Sequence, residues 1–359
     1  MSEPYFPGKT WERRKPSEVG IDASRMEEAI AYATDPDHAG SPRDLGTHLV
    51  AQNTKQHDDG VLHGPTQFHG PVTGVVIRNG YLVAEWGDPL RVDMTFSISK
   101  SFLSTCAGLA WDRGILPDLD EPVGKSVHDG GYDSEHNAQI TWDHSLRQVS
   151  EWDGTLWDKH HSAANPDDKV LEPVAPGTRY EYNDTRVNRF ALSLLRMWKR
   201  PLPDVLREEI MDPIGASNTW HWHGYANSWV EVEGRRMQSV SGGGHWGGGM
   251  FINAYDQARF GLLSLHEGAW RGIQLLTKEW VEMAKTPTDL RPTYGFMNWF
   301  LNTEQALIPN APESHFYHAG AGVNRIWVAP DRDTVVVVRW ISGDHFVGFA
   351  ERMLSAIST

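Results

Sequence analysis

The stretch GVVIRNGYLVAEWG, residues 74–87, is typical of a β hairpin. Two β-rich runs flank Asn79-Gly80, a dipeptide that favours the tight turn between paired strands. Strand signals return near the C-terminus in HFYHAGAGVNRIWVAPDRDTVVVVRWI, residues 315–341, which predicts a strand, a tight turn at Pro330-Asp331 and a β-branched strand. Strand groups at the two ends of a chain usually pair into one sheet. The sequence therefore predicts one sheet with strands from both ends.

The central part of the chain has a mainly helical pattern. Apolar residues recur at helical spacing in ITWDHSLRQVSEWDG (140–154), RVNRFALSLLRMW (186–198) and LPDVLREEIMDPIG (202–215). The predicted fold class is α/β (α+β): an antiparallel sheet flanked by helices in residues 1–110 and 250–359, with a mainly helical domain inserted at 111–249. The site is expected at the seam between the two. Residues 36–69, rich in His, Asp, Gly, Pro and Gln, are predicted to form a long irregular loop.

Size and composition restrict the classes of function. The 359 residues exceed the usual limit of a single core, and 40% hydrophobic with 22% charged residues is typical of a globular protein. A net charge of −14 without a Lys/Arg-rich run argues against nucleic-acid binding. The one cysteine, Cys106, excludes an internal disulfide, and no run approaches the roughly 20 apolar residues of a membrane span. A soluble, cytoplasmic protein is expected.

The segment FSISKSFLS, residues 96–104, places Ser97 three positions before Lys100 at the start of a predicted helix. Positions i and i+3 share a helix face, so the amine is expected to reach the hydroxyl. A serine becomes a strong nucleophile when a base removes its proton, and desolvation among residues such as Phe96 and Ile98 favours the neutral, basic form of a lysine. Ser-x-x-Lys on an exposed helix is nevertheless common by chance, so the motif alone decides little.

Two later segments add polar groups. In PGTRYEYNDT (176–185), Tyr182 is followed by Asn183 and Asp184, and a tyrosine at the seam would relay protons to and from the serine. In YHAGAG (317–322), small residues at a strand end let the backbone approach a ligand, so an exposed N–H there can complete an oxyanion hole. Taken singly, the two segments are more typical of a structural tyrosine and of a bulge or turn.

Together, Ser-x-x-Lys, a Tyr-x-Asn-like segment and a basic-x-Gly strand resemble the three motifs of the serine β-lactamase and penicillin-binding-protein superfamily. The chain is similar to its class C branch, which includes class C β-lactamases, family VIII carboxylesterases, D-aminopeptidases and 6-aminohexanoate-dimer hydrolase. The resemblance covers most of the chain from about residue 75, including GILPDLDEPVG (114–124) and GGGMFINAYDQARFGLL (247–263). It implies a β-lactamase/transpeptidase-like fold.

The resemblance also implies roles for individual residues. Ser97 is the acylated nucleophile, Lys100 its base partner and Tyr182 the acid/base. The backbone N–H groups of Ser97 and Ala321 form the oxyanion hole, and Gly320 lies beside the substrate.

The chain departs from the family pattern at two positions that are also expected to contact substrate. Asp184 stands where the second motif usually has asparagine; its negative charge near Lys100 would keep the lysine protonated, so Tyr182, or the pair as a unit, carries more of the base role. His318 stands where β-lactamases have lysine, and a near-neutral imidazole binds a β-lactam carboxylate poorly. Efficient β-lactamase activity is therefore not expected.

Several of the 16 tryptophans lie in loop-like segments. A tryptophan is most often a packing residue, but clusters in Gly-rich loops also line pockets for apolar substrates. The predicted substrate-binding set therefore includes four of them and one neighbouring histidine: Trp152, Trp157, Trp222, His245 and Trp246.

Histidines in LWDKHH (156–161) and WHWH (220–223) raise the question of a metal. Neither segment has an established metal-site spacing, and histidines at i, i+2 on a strand are common without a metal. The sequence predicts no metal site and no cofactor.

The predicted function is that of a serine hydrolase that acts through an acyl-enzyme on small esters or amides, most similar to carboxylesterases. An amide hydrolase related to D-aminopeptidases and a weak β-lactamase are alternatives that use the same groups. A non-catalytic binding protein on this fold is the alternative from another class, and intact Ser97, Lys100 and Tyr182 argue against it. The physiological substrate, the ester or amide preference and the oligomeric state stay open.

Overall fold

A computed structural model of the chain describes residues 4–40, 42–54, 60–164, 172–244 and 246–357. The α-helices in these ranges are α1 Ala23–Thr34, α2 Leu45–Thr54, α3 Ser99–Asp112, α4 Trp142–Leu146, α5 Asp184–Trp198, α6 Leu202–Leu206, α7 Ala254–Leu265, α8 Lys278–Ala284 and α9 Gly343–Ile357. Among the helices so described, none is long and apolar enough to cross a membrane.

The strands range from two to twelve residues in length. They are β1 Thr73–Arg78, β2 Tyr81–Trp86, β3 Asp93–Met94, β4 Thr155–Leu156, β5 Lys159–His160, β6 His221–Val232, β7 Arg235–Val240, β8 Gly249–Ile252, β9 Ala269–Trp270, β10 Ile273–Gln274, β11 Trp299–Leu301, β12 Phe316–Gly320, β13 Asn324–Ala329 and β14 Thr334–Arg339.

An antiparallel sheet of six strands forms the centre of the fold, in the order β11-β12-β13-β14-β1-β2. The hairpin β1–β2 turns at Asn79 and Gly80, whose φ angles of 52° and 80° are left-handed, as a type I′ turn requires. Strand β1 also pairs with β14, where Val76 lies opposite Val336. The predicted fold, with a sheet built from both ends of the chain, is confirmed.

Helices cover both faces of this sheet. On one face, Val75 and Val337 belong to a core shared with α3 and α7; on the other, Val76 and Val336 pack with α1 and α9. Because alternate residues of β14 enter opposite cores, all six of its residues are buried. A strand buried on both faces reads as an uninterrupted apolar run, which explains the four consecutive valines.

A second sheet, in the order β3-β8-β6-β7, adds β structure to the region that was predicted to be mainly helical. Its hairpin β6–β7 contains a register shift between Gly224 and Trp229. The shift and an irregular pattern of buried positions along β6 hide the period of two, so the sequence analysis missed this hairpin. The division of the chain into two domains stays a prediction.

The irregular loop predicted for residues 36–69 is wrong in part, because α2 lies within it. Asp44 caps this helix: its Oδ1 accepts a hydrogen bond from Thr47 N at 3.0 Å and its Oδ2 accepts one from Thr47 Oγ1 at 2.7 Å. Leu45 and Leu49 are buried in a small cluster with residues of β3 and β8. Its other apolar residues, Val50 and Ala51, are exposed, so the sequence of the helix shows no clear apolar face.

The helical pattern over 140–154 corresponds to a single short helix, α4. Gln148 and Glu151 have φ angles of 59° and 50°, a left-handed conformation that cannot continue an α-helix. Glu151 is instead buried in ion pairs with Arg179 and Arg186. The segment after α4 is therefore a fixed loop that leads toward Tyr182.

Candidate active site

The predicted nucleophile, Ser97, lies in a 3₁₀ turn, Phe96–Ile98, that leads directly into α3. Phe96 has a φ of 49°, an unusual conformation for a bulky residue. Ser99 fixes the turn, because its Oγ donates to Phe96 O at 2.6 Å and accepts from Met250 N at 2.8 Å. The turn leaves Ser97 partly exposed while the residues on both sides of it are buried.

Lys100 is fully buried and extends from α3 toward Ser97. Its Nζ lies 2.8 Å from Ser97 Oγ, 2.8 Å from Asp184 Oδ1 and 3.1 Å from Gly242 O. An ammonium has three protons to donate, so it can satisfy all three oxygens at once. The structure thus brings the hydroxyl, the amine and the carboxylate together; their catalytic roles stay predictions.

Two opposing effects set the charge of Lys100. Burial favours the neutral amine and would lower its pKa, but the Asp184 carboxylate and Tyr182 favour the ammonium and raise the pKa above the usual lysine value. Lys100 is therefore an ammonium in the resting site. It can act as a base only after a proton has left the group that it forms with its neighbours.

Asp184 is the first residue of α5 and follows the cap Asn183, whose side chain accepts a hydrogen bond from Arg186 N at 3.1 Å. A carboxylate is favoured at this position, because the backbone N–H groups of a helix start carry partial positive charge. The glycine-rich segment 242–244 lies against the pair, and a Cβ at Gly244 would collide with Asp184 Oδ2. Glycine at this position allows the backbone to close over the carboxylate.

Tyr182 directly precedes this cap and is partly exposed. Its ring lies beside the ammonium, with Lys100 Nζ 4.9 Å from the ring centre. Its hydroxyl oxygen lies 3.5 Å from Asn298 Nδ2. Tyr182 therefore contacts the same ammonium that binds Ser97.

The third predicted segment lies at the end of β12, next to the nucleophile turn. Gly320 is buried, and a Cβ on it would collide with Thr95 O, so the strand and the segment before Ser97 approach each other at backbone distance. Ala321 follows at an exposed position. The close approach explains Gly320 by packing, while the oxyanion role of the Ala321 N–H stays a prediction.

The prediction that His318 binds substrate is wrong. Its side chain is fully buried between β12 and α7, with Nε2 3.1 Å from Ser264 Oγ and its ring centre 4.8 Å from that of Trp299. Burial lowers the pKa of the imidazole to about 3. His318 is therefore neutral and inaccessible, and it cannot supply the cation that a β-lactam carboxylate needs.

Three of the predicted pocket tryptophans are packing residues, which corrects the prediction that they line the cleft. Trp246 is 0% exposed, Trp152 4% and Trp222 5%. The indole N–H groups of the latter two donate to backbone carbonyls at 2.7 and 2.9 Å, which removes the cost of burying them. Trp157 is partly exposed and stays a prediction. His245 lies outside the described residues.

One group of possible metal ligands occurs in the described part of the chain: Asp153, His160 and His161. The Nδ1 atom of each histidine already has a backbone partner, because Gly154 N lies 3.3 Å from His161 Nδ1 and Ser162 N lies 3.3 Å from His160 Nδ1. A backbone N–H only donates, so both Nδ1 atoms use their lone pairs within the protein. We assign no metal to this group.

The sequence analysis missed two parts of the site. Gly242 accepts from Lys100, and its N–H donates to Asn188 Oδ1 at 2.9 Å; the Gly-Gly-Gly run was a usable signal for it. Asn298 is fully buried beside Tyr182. Nothing in the segment YGFMNW distinguishes this asparagine from a turn residue.

The model of the family described as Beta-lactamase matches residues 51–353 of the chain. Among curated proteins, no sequence matches.

Solved structures with the same fold include three with different names. A putative 6-aminohexanoate-dimer hydrolase from Bacillus anthracis has a TM-score of 0.58 at 16% identity, over 92% of this chain and 93% of its own. A penicillin-binding-protein homologue from Caulobacter crescentus has a TM-score of 0.60 at 16% identity, over 89% and 98%. EstCE1, described as a hydrolase with promiscuous acyltransferase activity, has a TM-score of 0.56 at 13% identity, over 88% and 98%.

Proposed function

The chain belongs to the Beta-lactamase family, and we propose that it is a serine hydrolase that forms an acyl-enzyme at Ser97 and acts on small carboxylic esters. One observation carries this proposal: a partly exposed Ser97 Oγ lies 2.8 Å from the Nζ of a fully buried lysine. A lysine buried at this cost is expected where its proton is used. A binding protein without catalysis would not require it.

The proposed reaction has two steps. In the form of the site in which the group formed by Tyr182 and Lys100 has released one proton to solvent, Ser97 Oγ attacks the acyl carbonyl and its proton passes to this group. The Ser97 and Ala321 N–H groups stabilise the oxyanion. The bond to the leaving alcohol breaks, and the alcohol takes up the proton. Water then attacks the acyl-Ser97 ester and gives one proton to the same group, which passes it to the departing Ser97 Oγ, so that the carboxylic acid and free serine are released.

Amide hydrolysis is a second candidate that one observation favours. Lys100 has a raised pKa and is held as an ammonium, so the resting site holds a proton close to the nucleophile. An amine leaving group must be protonated before it departs, whereas an alcohol is less demanding. Small amides are therefore proposed as slower substrates of the same site.

A substrate panel tests this proposal. We expect kcat/KM to fall in the order p-nitrophenyl butyrate, butyryl p-nitroanilide, cephalosporin, because buried, neutral His318 supplies no cation for a β-lactam carboxylate. Ser97→Ala should lower ester turnover by roughly four or more orders of magnitude, as for loss of a nucleophile in other serine hydrolases. Ser104→Ala, two turns further along α3, is the matched control and should retain the rate. A cephalosporin turned over as well as the ester would overturn the proposed substrate class.

A further inference from the structure

Asn298 joins the segments that carry all three motifs. It is fully buried and lies directly before β11, whose first residue, Trp299, pairs with His318 of β12. Its φ of 74° is left-handed, a conformation in which asparagine is favoured over other residues with a side chain. The backbone at Asn298 thus departs from the hydrogen-bond ladder between β11 and β12, and the side chain is turned toward β12 instead.

The amide of Asn298 continues the ladder in place of the backbone. Its Oδ1 accepts from Ala319 N at 2.6 Å, and its Nδ2 donates to Ala319 O at 2.8 Å. Both backbone polar groups of one residue, Ala319, are therefore bound by a single side chain. This pairing fixes β12 two residues before Ala321, the predicted oxyanion donor.

The same amide also contacts the other two motifs. Its Oδ1 lies 3.4 Å from Ser101 Oγ, directly after Lys100 on α3, and its Nδ2 lies 3.5 Å from the Tyr182 hydroxyl. The backbone N–H of Asn298 donates to Tyr294 at 2.8 Å, which fixes the start of the turn. One planar group thus reaches the nucleophile helix, the tyrosine and the oxyanion strand.

We propose that Asn298 is a positioning residue that aligns Tyr182 and the Ala321 N–H with Ser97, a role that rests on the serine hydrolase function proposed above. A side chain that only stabilised the fold would not need to contact the nucleophile helix, the tyrosine and the oxyanion strand at the same time. Loss of the amide should leave substrate binding almost unchanged and slow acylation, because small displacements of catalytic groups reduce rates strongly.

Asn302 provides a matched control. It is equally buried, and its amide binds the backbone of a loop. Its Oδ1 accepts from Ile308 N at 2.8 Å, and its Nδ2 donates to Ala311 O at 3.1 Å. Within the part of the chain that the structure describes, none of the hydrogen bonds of its side chain involves Ser97, Lys100 or Tyr182. Its replacement therefore removes comparable hydrogen bonds to the backbone without changing the contacts of the candidate active site.

The experiment compares Asn298→Gly and Asn298→Asp with Asn302→Gly and Asn302→Asp on p-nitrophenyl butyrate. Glycine tolerates the left-handed backbone, and aspartate keeps the Oδ1 acceptor but loses the donor. Folding is checked by circular dichroism, and one Asn298 variant that is folded is enough for the comparison with the Asn302 variants. We expect kcat and the acylation rate constant to fall by about 10- to 100-fold with KM within about threefold for Asn298 variants, and kcat within about twofold for Asn302 variants.

The outcomes separate this inference from the proposed function. Wild-type kcat in a folded Asn298 variant, or an equal loss in the Asn302 variants, would overturn the positioning role while the serine hydrolase function stands. A wild-type protein that neither hydrolyses esters nor is labelled at Ser97 by a fluorophosphonate would overturn the proposed function and this inference with it.

Discussion

Lys100 is the residue on which the account depends most. Its Nζ is surrounded by a carboxylate, a carbonyl and a hydroxyl oxygen, all within 3.1 Å. The carboxylate and the carbonyl can only accept, so two protons of Nζ are always engaged, and the third position faces Ser97. Whether that position holds a proton or a lone pair decides whether Ser97 is activated. The proposed reaction therefore depends on Asp184 through the charge of Lys100.

We predict that Asp184→Asn moves the acidic limb of the kcat/KM profile to lower pH. The raised pKa of Lys100 depends on the Asp184 carboxylate, and removal of this anion lowers the pKa of the lysine. The neutral amine is then present at lower pH, so the limb shifts downward. The pH profile is measured with p-nitrophenyl butyrate, and Asp256→Asn, a buried first-turn aspartate of α7, is the control.

Three results distinguish the roles of Asp184. A shifted limb with retained activity means that Asp184 tunes the base. Activity lost without a shift means that the carboxylate positions Lys100 or a water directly. An unchanged profile and rate would contradict the coupling described here and would leave the 2.8 Å contact between Lys100 and Asp184 without functional effect.

For single residues, the sequence is informative at the positions that a family motif defines. The motif position of Asp184 predicts its placement beside Lys100, which the structure shows. The sequence does not reveal that the side chains of His318 and Trp246 are buried, because burial depends on which face of an element packs inward. Asn298 has no sequence signal at all, since its role arises from a backbone turn.

At the scale of elements, the close approach of β12 to the nucleophile turn is the most restrictive contact. The collision of a Cβ at Gly320 with Thr95 O involves two backbone segments, and neither can rotate away. We predict that Gly320→Ala destabilises the protein by about 1–3 kcal/mol and displaces the Ala321 N–H. The rate of acylation should fall by about 100-fold as a result.

Denaturant unfolding and acylation kinetics check this prediction together. Gly343→Ala is the control, because among the described residues no atom outside its own helix backbone and chain neighbours lies within 4 Å of its Cβ position at the start of α9. That change should alter the free energy of unfolding by less than about 1 kcal/mol, since it mainly restricts the unfolded chain. A Gly320→Ala protein that acylates at the wild-type rate would show that β12 can move without loss of function.

The elements that the sequence predicted well have strong local signals. The hairpin β1–β2 carries its Asn-Gly turn, and β14 carries an apolar run that only a strand buried on both faces explains. The elements that were missed, α2 and β6–β7, are stabilised by tertiary packing and by a cap or a bulge. Their local patterns are weak, because single apolar pairs and interrupted alternation occur equally in loops.

At the scale of the whole molecule, the fold brings together residues that are far apart in the chain. Ser97 lies in the 3₁₀ turn before α3 and Lys100 in the first turn of α3. Tyr182 precedes α5, and Gly320 ends β12 of the six-stranded sheet. The structure places the first two segments around one buried ammonium and the third against the backbone that precedes Ser97. A binding protein on the same fold would share this architecture but would form no covalent intermediate.

The central claim is tested most directly by trapping that intermediate. The protein is mixed with p-nitrophenyl butyrate or a fluorophosphonate, quenched in acid, and analysed by intact-mass and peptide mass spectrometry. The account predicts one adduct per chain, on the peptide that contains Ser97, present in Ser104→Ala and absent in Ser97→Ala. No adduct in the wild-type protein, or an adduct on another residue, would contradict it.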